Sequence, residues 1–170
     1  MFYFLSGDSG VGKTTAIRKT IKLLDLRGPL VVGGFFTWKG DCGDPCVYMR
    51  PACSNESGEI YQVAAWNEAK GKMVGDCSAF DEVGASILAR SKDADLIIMD
   101  ELGYLESDAL VFRNAVSDVL GGDVPVLGVL RLGSVPWLDA IKRNSRVVSI
   151  DVNKENRDAL PRELVDRLLR

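Results

Sequence analysis

Apolar and polar positions follow two regimes along this chain. Short unbroken apolar runs recur, and between them apolar residues return at three- and four-residue spacing. Phe2–Leu5 is the first run, closed by Ser6-Gly7-Asp8; an unbroken run bounded by glycine predicts a central strand covered on both faces. From Lys13 to about Leu26, Ala16, Ile17, Ile21, Leu23 and Leu24 fall mostly on one stripe, with Arg18, Lys19 and Lys22 mostly off it. That pattern predicts an amphipathic helix, which Gly28-Pro29 stops. Leu30–Phe36 reads as a second strand. Further on, Ser78-Ala79-Phe80-Asp81 predicts a capping box, with Asp for the usual Glu, opening a helix to about Arg90. Asp95–Asp100 reads as a buried strand with an acidic end. Ser107 is expected to cap a helix that closes at Gly121-Gly122. Val124–Leu130 reads as a strand, Val135–Arg143 as a short helix with Pro136 in its first turn, Arg146–Ile150 as a strand, and Asn153 as the cap of a last helix.

Strands alternating with helices imply parallel βαβ units and a three-layer α/β sandwich. The stretch from Thr37 to Asn67 differs. It is rich in Gly and Pro, holds three cysteines, and contains two short β-like pieces, Cys46–Met49 and Glu59–Trp66. It is read as a small β hairpin or lid inserted into the sheet, with the insert spanning about 37–77. No linker, repeat or low-complexity run interrupts the chain, so residues 1–170 are expected to form a single domain.

Composition then removes function classes. With 21 Lys+Arg against 24 Asp+Glu, the formal charge is −3, which argues against a nucleic-acid partner held by bulk charge. No apolar run approaches the ~20 residues needed to span a bilayer. Met1–Leu5 lacks a basic leader and ends short of the roughly 7–15 apolar residues of a secretory segment, so a cytoplasmic location is expected. The chain has 0 His. Imidazole is therefore excluded as base, nucleophile or metal ligand.

Gly7-Asp8-Ser9-Gly10-Val11-Gly12-Lys13-Thr14 satisfies GxxxxGK[ST]. Glycines at this spacing let backbone N–H groups turn inward around phosphate oxygens, and the following helix adds its dipole. Lys13 then reaches the β/γ-phosphates, and the Thr14 hydroxyl is a ligand for Mg²⁺. The alternative is a Gly-rich turn that happens to hold Lys-Thr; the strand before it and the helix after it favour the phosphate loop. Asp100-Glu101 ends its apolar run as a Walker B strand does. Asp100 would hold Mg²⁺, and Glu101 would orient or deprotonate a water. The plainer reading is that Asp-Glu only opens a polar loop. Glu106 reads as a surface loop residue.

Phosphoryl transfer also gains from a cation facing the developing charge. Arg50, Arg113, Arg131 and Arg157 are candidates, with Arg131 favoured because it follows a strand ending at the carboxyl edge. Arg157 could contact the nucleotide or cap a helix. Asn153-Lys154-Glu155-Asn156 faintly echoes a guanine-reading pattern but lacks its closing Asp. Cys42, Cys46, Cys53 and Cys77 could furnish a four-thiolate zinc site; no pair has CxxC spacing, and free thiols are the default reading.

Four stretches together resemble the THEP-type nucleoside-triphosphatases, the family of the human cancer-related NTPase. They are Gly7–Thr15 (GDSGVGKTT), Gly33–Thr37 (GGFFT), Asp100–Glu106 (DELGYLE) and Glu155–Asp158 (ENRD). The resemblance implies a P-loop NTPase core of the RecA-like, additional-strand type and Mg²⁺-dependent hydrolysis of nucleoside triphosphates with loose base preference. It also implies phosphate contacts from Gly10, Gly12, Lys13, Thr14 and Thr15, with metal and water served by Asp100 and Glu101. Two departures stand out. Tyr104 occupies a position where the family usually has Lys, and the cysteine-bearing insert with Arg50 replaces an Arg-x-Gly-Phe segment. The function expected is hydrolysis of the β–γ bond of ATP, GTP and other triphosphates. Lys13, Glu101 and Arg131 are the catalytic candidates. The alternatives are a nucleotide or small-molecule kinase with the insert as lid, and a slow nucleotide-dependent switch. No protein partner is legible.

Overall fold

A computed structural model of the chain describes residues 1–41, 43–53 and 59–170. In chain order the elements are β1 (Phe2–Ser6), α1 (Lys13–Asp25), β2 (Val32–Asp41), β3 (Pro45–Pro51), β4 (Tyr61–Asn67), β5 (Lys72–Gly75) and α2 (Cys77–Ala79). A π-helical turn (Phe80–Gly84) leads into α3 (Ala85–Ala89), followed by β6 (Leu96–Leu102), α4 (Leu110–Gly121), β7 (Val126–Leu130), α5 (Pro136–Lys142), β8 (Val147–Asp151) and α6 (Leu160–Leu168). The strands form one eight-stranded sheet in the order β5-β4-β3-β2-β6-β7-β1-β8. From β2 to β8 every neighbouring pair is parallel, and β3, β4 and β5 extend the β2 side by antiparallel pairing.

The central strands are apolar throughout because both faces are covered. In β1, Phe2 and Phe4 join one core with Ile97, Met99 and Phe112, while Tyr3 and Leu5 join the other with Ile17, Ile98 and Leu164. Helices α1 and α6 cover the second face; the π turn, α3, α4 and α5 cover the first. The result is the three-layer α/β sandwich expected from the alternation of elements. Strand β7 lies between β1 and β6, the additional-strand arrangement. Three carboxyl-end segments therefore come side by side: the loop after β1, the end of β7, and the end of β6.

Several local expectations are corrected. Of the two readings of segment 37–77, hairpin or lid, its described residues take the hairpin. Strand β2 runs on to Asp41, and its hairpin with β3 widens the sheet, Trp38 packing on Tyr48 with ring centroids 5.8 Å apart. Strand β5 has no counterpart in the sequence reading. The cap of α2 is Asp76, whose carboxylate accepts from the Ala79 N–H at 3.1 Å, not Ser78. Asp81, expected to close that capping box, instead accepts from the Phe112 N–H at 2.9 Å and so caps α4 across the fold. Ser107 does not cap α4; its carbonyl accepts from Arg113 at 2.9 Å. Asn153 caps no helix either. Its side chain accepts from the N–H groups of Glu155 and Asn156 in the turn that precedes α6.

Candidate active site

The loop between β1 and α1 has a shape that glycine makes accessible. Gly7 has φ +132°, and a Cβ there would collide with the Val152 carbonyl; Gly12, at the N-cap of α1, has φ +113°. Neither conformation suits a side chain. Among the described residues no side chain caps α1, and its first turn carries no acid. Its leading N–H groups are therefore left for an anion without competition from the chain itself. The Lys13 ammonium folds back on the loop and donates to the carbonyls of Gly7 at 2.7 Å and Asp8 at 2.8 Å.

Facing this loop is a cavity of about 540 Å³. Its walls are Gly7, Asp8, Ser9, Gly10, Gly12, Lys13, Thr14 and Thr15 on one side and Lys39, Glu101, Arg131 and Leu132 on the other. A smaller cavity of about 130 Å³ adjoins it; Thr14, Lys39, Glu101 and Arg131 line both, and the smaller one reaches Thr37, Asp100, Tyr104 and Glu106. The chain thus gathers Lys13, Thr14, Asp100, Glu101 and Arg131, taken from three separate segments of the sequence.

The end of β6 is shaped for this role. Between Met99 and Leu102 it takes three steps where β7 takes two, a bulge centred on Asp100 and Glu101, and the peptide bond joining them is cis. Bulges of this kind re-aim side chains beside functional sites. Asp100 is only 2% exposed, and burial raises its carboxyl from the usual carboxylate range to about 6, opposed by a hydrogen bond with the Thr14 hydroxyl. Its Oδ2 has no hydrogen-bond partner among the described residues. A buried carboxylate oxygen left open beside a threonine hydroxyl fits a hard divalent cation, which takes oxygen donors of this kind. Glu101 donates its N–H to Thr37 Oγ1 at 3.0 Å, and its carboxylate lies 3.6 Å from the Arg131 guanidinium. The Arg131 guanidinium also stacks over the Tyr104 ring, 5.0 Å from its centroid.

Glu106, expected on the surface, is 3% exposed. Its Oε1 accepts from the Gly103 N–H at 2.6 Å, and burial raises its carboxyl to about 7. The Gly103 carbonyl accepts from Trp137 Nε1 at 2.9 Å. The turn carrying Tyr104 is thereby tied at both backbone polar groups of Gly103. A carboxylate in a glycine-bearing turn reads as solvated; here its partner is a backbone N–H three residues away.

Other candidates fall elsewhere. Arg157 lies against the loop, its Nη1 3.5 Å from the Val11 carbonyl, in a second cavity of about 580 Å³ that shares Gly7, Asp8, Ser9, Gly10 and Leu132 with the main one. Arg50 packs on Trp38, and Arg113 on Trp137, each with its guanidinium carbon 5.9 Å from the ring centroid. Cys42 lies outside the described residues. Of the other three, Cys46 is buried, Cys53 exposed and Cys77 half-buried, all free. Among the described residues no three metal-binding side chains gather, so Cys46, Cys53 and Cys77 do not assemble the zinc site considered above. Lys39 has no role in the sequence reading; the signal is the polar–apolar alternation Thr37-Trp38-Lys39 after Phe36.

The family model described as NTPase matches residues 2–165. The nucleoside-triphosphatase THEP1 of Methanocaldococcus jannaschii is 31% identical over 99% of this chain and 98% of its own length. That of Thermofilum pendens is 32% identical over 95% of this chain and 92% of its own. Among solved structures, THEP1 from the hyperthermophile Aquifex aeolicus superposes with a TM-score of 0.78 at 25% identity, covering 100% of both chains. The solution structure of a human cancer-related nucleoside triphosphatase does so with a TM-score of 0.73 at 25% identity, covering 98% of this chain and 96% of that one.

Proposed function

The chain belongs to the NTPase family, and from that premise we propose that it hydrolyses nucleoside triphosphates to the diphosphate and inorganic phosphate, acting as one P-loop domain. The observation that carries this reading is the single cavity in which the loop, Lys13, Glu101 and Arg131 meet. On binding, the loop amides and the N-terminus of α1 receive the phosphate oxygens. Lys13 exchanges its two carbonyl partners for the β/γ-phosphates. Glu101 takes a proton from the attacking water as the new oxygen–phosphorus bond forms and the bond to the leaving diphosphate breaks. Arg131, drawn from Glu101 by the phosphate charge, faces the charge that develops on the γ-phosphoryl oxygens and frees Glu101 to act as base. Thr14 and Asp100 are the residues that would hold Mg²⁺, which would neutralise phosphate charge as the bond breaks. Arg157 and its cavity lie on the side open to the ribose and base.

Water rather than a second substrate is the acceptor in this reading. The described strands of segment 37–77 pair into the sheet as a hairpin extension, which favours water over a second substrate under a lid. No helix among the described residues is long and apolar enough to cross a membrane, and we take the compartment to be the cytoplasm. The test is phosphate release from ATP, GTP, CTP and UTP with and without Mg²⁺, by wild type and Lys13→Ala. Release that needs both the cation and Lys13 is expected. Release from none of the four, or an undiminished rate in Lys13→Ala, would overturn the reading.

A further inference from the structure

Three cations line the cavity, and they differ in what holds them. Lys13 donates to two loop carbonyls, and Arg131 is paired with Glu101. Lys39 has no hydrogen-bond acceptor or ion-pair partner among the described residues, although it lines both the main cavity and the smaller one beside it. Its position is set by the backbone. Thr37, two residues earlier on the same face of β2, accepts the Glu101 N–H at 3.0 Å, which turns this face of the strand toward the end of β6. Pairing of β2 with β6 stops at Phe36 and Asp100, whereas β2 continues, paired with β3, through Lys39 opposite Val47. Lys39 thus stands three residues past the last β6 pair, on the order of 10 Å along the strand. The hairpin that carries it is stiffened by the Trp38–Tyr48 contact. Lys39 is solvent-exposed at the cavity rim, and its ammonium has no protein partner among the described residues to leave when an anion enters.

We propose that Lys39 contacts the γ-phosphate and distinguishes a triphosphate from the diphosphate product. The inference rests on the nucleotide-hydrolysis reading above. The loop amides, and Lys13 through the β-phosphate, hold either nucleotide, whereas a cation projecting from β2 near Glu101 meets only the terminal group. A charge-assisted bond to that group strengthens triphosphate binding and leaves diphosphate binding nearly unchanged. Charge, rather than the packing of the lysine stem, does the work, so arginine substitutes for it and alanine does not.

The experiment is calorimetric titration of wild type, Lys39→Ala and Lys39→Arg with a non-hydrolysable ATP analogue and with ADP, in Mg²⁺, beside steady-state kcat and KM for ATP. Lys39→Ala is expected to weaken the triphosphate analogue about 10- to 100-fold. Its affinity for ADP should change less than about threefold, and Lys39→Arg should restore triphosphate affinity to within about threefold of wild type. Equal losses for both nucleotides, or no loss for either, would overturn the proposal. If wild type binds the analogue and needs Lys13 to do so, such a result removes the Lys39 assignment alone; if wild type binds neither nucleotide, the nucleotide reading falls with it. Circular dichroism of the variants checks that the fold is retained.

Discussion

Replacing Asp100 by Asn should uncouple the stability of the protein from pH in a way that its buried carboxyl dictates. Asp100 is 2% exposed, and burial holds its carboxyl at about 6 against an ordinary 3.8. At about 1.36 kcal/mol per unit, ionising it in the metal-free fold costs on the order of 3 kcal/mol. The folded chain keeps this proton up to about pH 6, whereas the unfolded chain releases it near 4. The folded state therefore binds more protons in that window, and its stability falls as pH rises from about 4 through 6. Asn has no proton to lose. It does leave an amide –NH₂ where Oδ2 has no partner, at a pH-independent cost of about 1–3 kcal/mol. In urea unfolding with EDTA present, Asp100→Asn should be the less stable form at pH 4. It should then gain on wild type by on the order of 3 kcal/mol by pH 7.5. Glu106 titrates in both proteins, so its contribution cancels. Adding Mg²⁺ and a non-hydrolysable triphosphate at pH 7.5 should stabilise wild type, because the cation offsets the buried charge, and stabilise the variant far less. Parallel stability curves for the two proteins between pH 4 and 7.5 would refute the claim that Asp100 is a strained carboxylate awaiting a cation.

Glu106→Gln keeps an oxygen for the Gly103 N–H but loses the ionisation that burial raises to about 7. Its stability should therefore decline less than that of wild type as pH rises from about 4.5 to 7, by urea unfolding. Glu106→Ala leaves the Gly103 N–H orphaned and should cost about 1–3 kcal/mol. It should also cut phosphate release more than Glu106→Gln, because the loosened turn carries the Tyr104 ring under Arg131. Phe112 is 0% exposed, with the rings of Phe35 and Phe80 at 5.7 and 5.3 Å. Phe112→Ala should destabilise by about 3–5 kcal/mol in chemical denaturation without changing nucleotide affinity in the folded protein.

What could be read from the sequence divides along physical lines. Strands β1, β6 and β7 were legible because they are covered on both faces, which leaves an unbroken apolar run that nothing else in a small protein requires. The phosphate loop was legible because its chemistry needs glycines and Lys-Thr at fixed local spacing. Helix caps were not. Asp81 caps α4, thirty-one residues on, and a capping box is recognisable only when both partners sit on one turn. The β2–β5 extension was legible only as a hairpin or lid, because an antiparallel edge rich in Gly and Pro carries the composition of a loop. Lys39 was hidden with it, since it reaches the cavity only if β2 runs past Phe36. Glu106 was hidden for another reason: whether a carboxylate in a turn is solvated or buried depends on what the rest of the fold packs over it.

The central claim is that Glu101 takes the proton of the attacking water while the loop and Lys13 hold the phosphates. Glu101→Gln tests it most directly, because the substitution keeps the size of the side chain and one acceptor oxygen but removes its charge and basicity. Affinity for a non-hydrolysable triphosphate and single-turnover phosphate release should be measured on the same preparation. The account predicts affinity within a few-fold of wild type and release slowed by about 10²-fold or more. Release at the wild-type rate with affinity intact would contradict it.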